Sequence, residues 1–283
     1  MIKLTRERTS AAIHANFRGV GRLARMLLLV EGKRNNTLTF NSSIWKMAKD
    51  QLRKESGGKC AYCEASTEVV AHGDVEHFRP KSVYWWLAYC YDNYLFACQI
   101  CNQSFKGNDF PVFGKALAPD PPFPASFAAN VTKAELEAIG KMFAPDPLTD
   151  ADGYPMAKFI KAVTREKPGL VDPYVIDPEP LFKWVADPVL KEVSIRPRNN
   201  KVAARRAHAA VEQYYGLNRD ELRRRRWELY EDAEFLKDLL ASNQLNATLT
   251  TRARNQLKEM MSTGSEYAGM VRYFVNDVWK LSL

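Results

Sequence analysis

The sequence has no apolar run long enough to cross a membrane. Near the N-terminus the longest extends only from Met26 to Val30, whereas a spanning helix needs roughly 20 apolar residues. A secretory leader is also missing, because Arg18, Arg22 and Arg25 interrupt every apolar region there. A cytoplasmic setting without membrane contact is therefore expected. No internal repeat and no low-complexity segment occurs. Acidic residues are outnumbered, 33 against 41 Lys and Arg, which leaves a formal net charge of +8. Such a surplus favours a polyanionic partner. Cysteine is scarce, with five in 283 residues. Four of them fall in two C-x-x-C pairs, and without secretion signals such pairs point to a metal before disulfides. Cys90 is left over and is expected to be a buried free thiol.

Apolar periodicity divides the chain into four parts. Residues 1–55 read as a helical flank. One helix is expected over 10–31, with Ile13, Phe17, Val20, Leu23 and Leu27 in phase. A second is expected from Asn41–Ser43 to about Glu55, ended by Gly57-Gly58. Residues 56–113 hold both cysteine pairs. Residues 114–198 are a Pro-rich connection followed by an irregular segment with short strands, interrupted by a short helix near Lys133–Met142. From Asn199 the pattern is helical to the end, so 199–283 is expected to be an all-helical lobe that docks a partner. Its run Arg223-Arg-Arg-Arg226 suits a partner, a nucleic acid or a solvated face equally.

Cys60-Ala-Tyr-Cys63 and Cys98-Gln-Ile-Cys101 each place two thiolates on a tight turn. Together they make a tetrahedral four-sulfur site of the kind that holds structural Zn²⁺ and leaves no position open for water. The stretch between them, Gly73-Asp-Val-Glu-His-Phe-Arg-Pro-Lys81, reads as a short strand carrying an acid beside His77. His72, just before it, reads as ordinary surface. Alternate strand residues face opposite sides, so Glu76 and His77 meet one substrate only through local distortion or at the strand end. Trp85, Trp86, Tyr89 and Tyr94 read as core aromatics.

An acid–His pair, then Asn93, then Asn102 after the second cysteine pair resembles the HNH nucleases. That resemblance implies an α+β fold whose centre is a zinc-stabilised ββα-metal core. It also implies the roles. His77 is the general base, near its unperturbed pKa, and Asn93 holds the imidazole. Glu76 and Asn102 are oxygen ligands for a catalytic Mg²⁺ (or Mn²⁺), with Asp74 as second choice. Arg79, Lys81 and Lys106 are candidate phosphate contacts. Longer phrases, among them Val75–Lys81 and Cys101–Pro111, resemble the HNH proteins of antiphage defence operons of the Septu and retron-associated kinds. These imply an HNH endonuclease that hydrolyses phosphodiester bonds of DNA beside an ABC-like, PtuA-like ATPase. The chain has no P-loop pattern, so that ATPase must be another chain. The same chemistry on RNA, a tRNA for instance, and a catalytically silent zinc-stabilised binding module are the alternative readings.

Overall fold

The computed structural model describes residues 1–67, 73–118, 132–151, 153–242 and 246–283. His72 and the prolines from Pro119 to Pro124 lie outside the described residues.

The N-terminal flank is helical but more broken than its periodicity suggests. The His14 ring accepts the Asn16 amide and turns the chain, so α1 covers only Gly19–Arg34. Asn41 caps α2, Ser42–Lys46, by accepting the Ser43 amide at 3.0 Å. Helix α3, Lys49–Glu55, follows a break, and Gly57 and Gly58 end it with φ of +64° and +75°.

Strand β1, Asp74–His77, pairs antiparallel with β2, Tyr94–Ala97, with Glu76 opposite Leu95 and His77 opposite Tyr94. A π-helical segment, Ile100–Lys106, follows directly. The hairpin lies between two hydrophobic cores and feeds both. Leu95 and Ala97 enter the core shared with the cysteine pairs, while Tyr94 and Phe96 enter the core built on α1 and the aromatic loop. Strand alternation thus sends Glu76 and His77 to opposite sides.

Beyond the hairpin come α4, Lys133–Phe143, capped by Thr132 and Glu135, and α5, Met156–Arg165. Helix α5 falls where the sequence reads as irregular, although Phe159 and Val163, both buried, already have helical spacing. A second hairpin joins β3, Phe182–Asp187, to β4, Glu192–Pro197. Helices α6 (Val202–Gln213), α7 (Asp220–Ala241), α8 (Ala247–Met260) and α9 (Ala268–Arg272) complete the chain, with a π-helical turn at Tyr273–Val278.

These last helices do not form a separate lobe. Val211, Tyr215, Leu222, Leu257 and Val271 share one core with Cys60, Tyr62 and Cys101. Tyr215 stacks on Tyr62 at 4.2 Å between ring centroids. Gly216 has φ +55°, and a Cβ there would lie 2.2 Å from the Phe105 ring. Only glycine lets this segment pass so close to the π-helical turn.

Candidate active site and metal centre

The four cysteines of the two pairs converge. Their sulfurs all lie within 4.8 Å of one another, and Cys63 and Cys98 are 4.0 Å apart. Tetrahedral Zn–S bonds of about 2.3 Å would set the sulfurs roughly 3.8 Å apart, so little movement is needed to hold an ion. The backbone explains the convergence. The Glu64 amide donates to the Cys60 carbonyl, closing the first turn, and the Ala61 amide donates to Phe96, tying that turn to β2. Cys98 then follows the last residue of β2. Donation from Cys101 holds Cys98 well below the usual thiol range, whereas burial pushes Cys60 up. Cys90 sits apart, buried, its thiol pushed up to about 12 by burial.

His77 ends β1 and is buried against Trp45 and Tyr94, whose rings stand edge-on at 5.0 and 5.1 Å. Its Nε2 lies 2.9 Å from the Ala88 carbonyl. A carbonyl can only accept, so Nε2 carries the proton and Nδ1 keeps its lone pair. Burial pulls His77 down to about 3, well below the unperturbed value expected from the sequence. The imidazole is therefore neutral at pH 7, and its burial makes it a weaker base than a free imidazole.

Glu76 points to the other side. Lys106 Nζ lies 2.6 Å from its Oε1, with both side chains almost wholly buried. The Tyr62 hydroxyl is 3.4 Å from the same oxygen. Burial raises the Glu76 pKa and Lys106 opposes that rise. Lys106 also donates to the His77 carbonyl at 3.2 Å, so one ammonium ties the π-helical turn to the strand carrying both residues. Asn102, four residues earlier on that turn, is half-buried. Among the described residues its side-chain amide has no hydrogen-bond partner. Asp74 is engaged by Gln103 at 2.8 Å.

Asn93 is buried and works on the backbone. Its Oδ1 accepts the Arg79 amide at 2.9 Å, and its Nδ2 donates to the Arg79 carbonyl at 3.0 Å and to Leu87 at 3.4 Å. It clamps the two ends of the aromatic loop that supplies Ala88. The imidazole is thus met by the Ala88 carbonyl, and Asn93 acts on the loop behind it. Arg79 and Lys106, expected at phosphates, are both buried in ion pairs. Arg79 lies 2.7 Å from Glu166, which also accepts from Tyr84 at 2.5 Å and from Leu117 at 3.1 Å. Lys81 alone of the three stays half-exposed, its ammonium 5.3 Å from the Trp45 ring. Sequence reasoning missed Glu166 and Trp45. Glu166 sits beyond α5, far along the chain from Arg79, and Trp45 lies on a helix whose apolar phase is set by other residues.

No protein-family model and no solved structure matches the chain. It is similar to a protein of Bacillus mycoides (strain KBAB4) named Septu protein PtuB, with 40% identity over a 77-position alignment. That alignment covers 23% of this chain and 26% of the relative. The chain thus matches about a quarter of the relative's length.

Proposed function

We propose that this PtuB-like chain is the nuclease subunit of a Septu-type antiphage system, an HNH endonuclease that hydrolyses DNA with Mg²⁺ or Mn²⁺. The observation that carries this reading is the state of His77. It is a buried neutral imidazole whose proton is fixed on Nε2 by Ala88, at the end of a strand leading into a hairpin and a helical turn. With Nε2 committed to Ala88, Nδ1 is the ring atom that remains to accept a proton.

The four sulfurs suit Zn²⁺, and with four thiolates that ion would be structural. For the catalytic cation, Glu76 and Asn102 offer oxygen donors of the right kind, and Lys106, which reaches Glu76, lies on the same turn as Asn102. Lys106 already occupies Glu76, so a cation there must displace or share that ammonium. When bound, a divalent cation offsets the charge on a phosphate and its leaving oxygen. His77 Nδ1 would accept the proton of the attacking water once the negative charge of a bound phosphate raises its low basicity, while Ala88 and the Asn93 clamp hold the ring in the required tautomer and angle. Trp45 and Tyr94 exclude bulk water from its faces. Lys81 is the cation available to a substrate phosphate.

The test is plasmid cleavage by the chain, alone and with a PtuA-like ATPase. Mg²⁺-dependent cutting that EDTA stops and His77→Ala abolishes is the expected result. Co-purification of the two chains is expected, with cutting tightly controlled in the complex. Cutting that survives both treatments would remove the HNH reading.

A further inference from the structure

The four arginines of the α7 run have different fates. Arg223 pairs with Asp220 at 2.6 Å and with Glu192 at 3.3 Å. Arg224 is exposed. Arg225 pairs with Glu228 at 2.7 Å and with Glu266 at 2.9 Å. Arg226 is 0% exposed, and none of its three guanidinium nitrogens has a hydrogen-bond partner. Its guanidinium carbon lies 5.0 Å from the Trp184 ring and 5.5 Å from the Tyr267 ring. Such rings offset only part of what it costs to bury an ion. Just before α7, half-buried Arg219 places Nη1 3.8 Å from the Cys101 sulfur.

Both cations stand beside the cysteine pairs. Arg226 lies over Tyr267, whose amide donates to the Glu64 carbonyl at 3.4 Å, one residue from Cys63. Glu64 is already held by Lys59 at 3.8 Å and by the Met1 amino group. Arg219 meets the cluster directly, through the Cys101 sulfur. Four thiolates carry two more negative charges than one divalent ion neutralises. We propose that Arg219 and Arg226 are the two counter-charges of the four-cysteine metal site. The C-terminal half would then neutralise a metal–thiolate centre built by the N-terminal half, and metal binding would tighten the seating of α7. The proposal rests on the metal site and is independent of the nuclease chemistry.

The test uses the full chain and the variants Arg219→Met, Arg226→Met and Arg226→Lys. Zinc content is measured first, then the rate of zinc release to a chromogenic chelator. Each Met variant is expected to release zinc at least about tenfold faster, the consequence of losing a charge interaction of about 1.4 kcal/mol. Arg226→Lys is expected to stay close to the parent. Melting separates this role from packing. Arg226→Met should melt below the parent when zinc is bound. In metal-stripped protein it should melt at or above the parent, because an uncompensated buried cation has been removed. Unchanged release, equal melting losses with and without zinc, or a chain purified without zinc would each overturn the proposal. Should Arg226→Met fail to fold, half-buried Arg219→Met carries the same comparison.

Discussion

His77 and Lys106 illustrate what one residue's type does and does not reveal. An acid next to a histidine, between two cysteine pairs, is a local pattern, so it is visible in the sequence. Burial is not local. Lys106 and Arg79 read as surface cations because most lysines and arginines are exposed, yet both face carboxylates inside the protein. The depressed basicity of His77 has the same origin, since desolvation is set by Trp45 and Tyr94 packing from elsewhere. Two predictions follow from these environments. His77→Ala should keep the fold and nucleic-acid affinity while cleavage falls on the order of 10²–10⁴-fold, the usual worth of a general base. Cleavage assays beside binding titrations check this. Lys106→Met leaves Glu76 buried without its cation, and breaking such a pair costs about 3–5 kcal/mol. If Glu76 is a metal ligand, millimolar Mg²⁺ should raise the melting temperature of this variant more than that of the parent. Denaturation with and without Mg²⁺ decides it, and an equal response would take Glu76 out of the ligand set.

Elements were legible where a single face is buried, and less so where two are. Helices α4, α7 and α8 start where a cap or an acidic first turn follows a break in the apolar pattern. The β1–β2 hairpin is buried on both sides, so its composition shows strand but not which core receives which side chain. Its register answers that, sending Glu76 toward Tyr62 and His77 toward Trp45. Helix α5 was hidden by the prolines and glycines around it. Its role is to deliver Glu166 to Arg79, Tyr84 and the Leu117 amide, fastening the loop that Asn93 clamps. Glu166→Gln removes the charge but keeps the shape, so the Arg79 guanidinium is left buried and unneutralised. A loss of about 3 kcal/mol or more in unfolding free energy is expected, measurable by urea titration. The cysteine turns are a second test at this scale. Cys98→Ser should lose zinc and aggregate, since metal binding and local folding are coupled there. EDTA treatment mild enough to strip Mg²⁺ should leave zinc in the parent. Elemental analysis of both samples reads the outcome.

At the scale of the whole molecule, the sequence suggests an HNH core followed by an all-helical lobe, and the C-terminal helices share one hydrophobic core with the cysteine pairs. Periodicity shows that residues beyond Asn199 are helical, but it says nothing about where their apolar faces go. Leu229 and Leu236 lean on the core that contains the cysteine pairs, while Phe235 and Leu249 stay exposed. Whatever surface α7 and α8 offer a partner, their inner face is already committed. Tyr215 covers Tyr62, Gly216 passes over Phe105, and Arg219 reaches Cys101. A chain ended near Asn199 would lose all three contacts and would expose Tyr62, a large buried side chain that approaches Glu76. Removing that cover takes away apolar burial that offsets the conformational entropy of the remaining chain, and a domain's net stability is only about 5–15 kcal/mol. Truncation at Asn199 is therefore expected to give aggregated protein with little or no bound zinc, rather than a soluble nuclease core that has merely lost its partner. Size-exclusion chromatography with zinc analysis of the eluted protein tests this. A monodisperse, zinc-loaded fragment would mean that the two cysteine turns and the β1–β2 hairpin fold without the C-terminal helices.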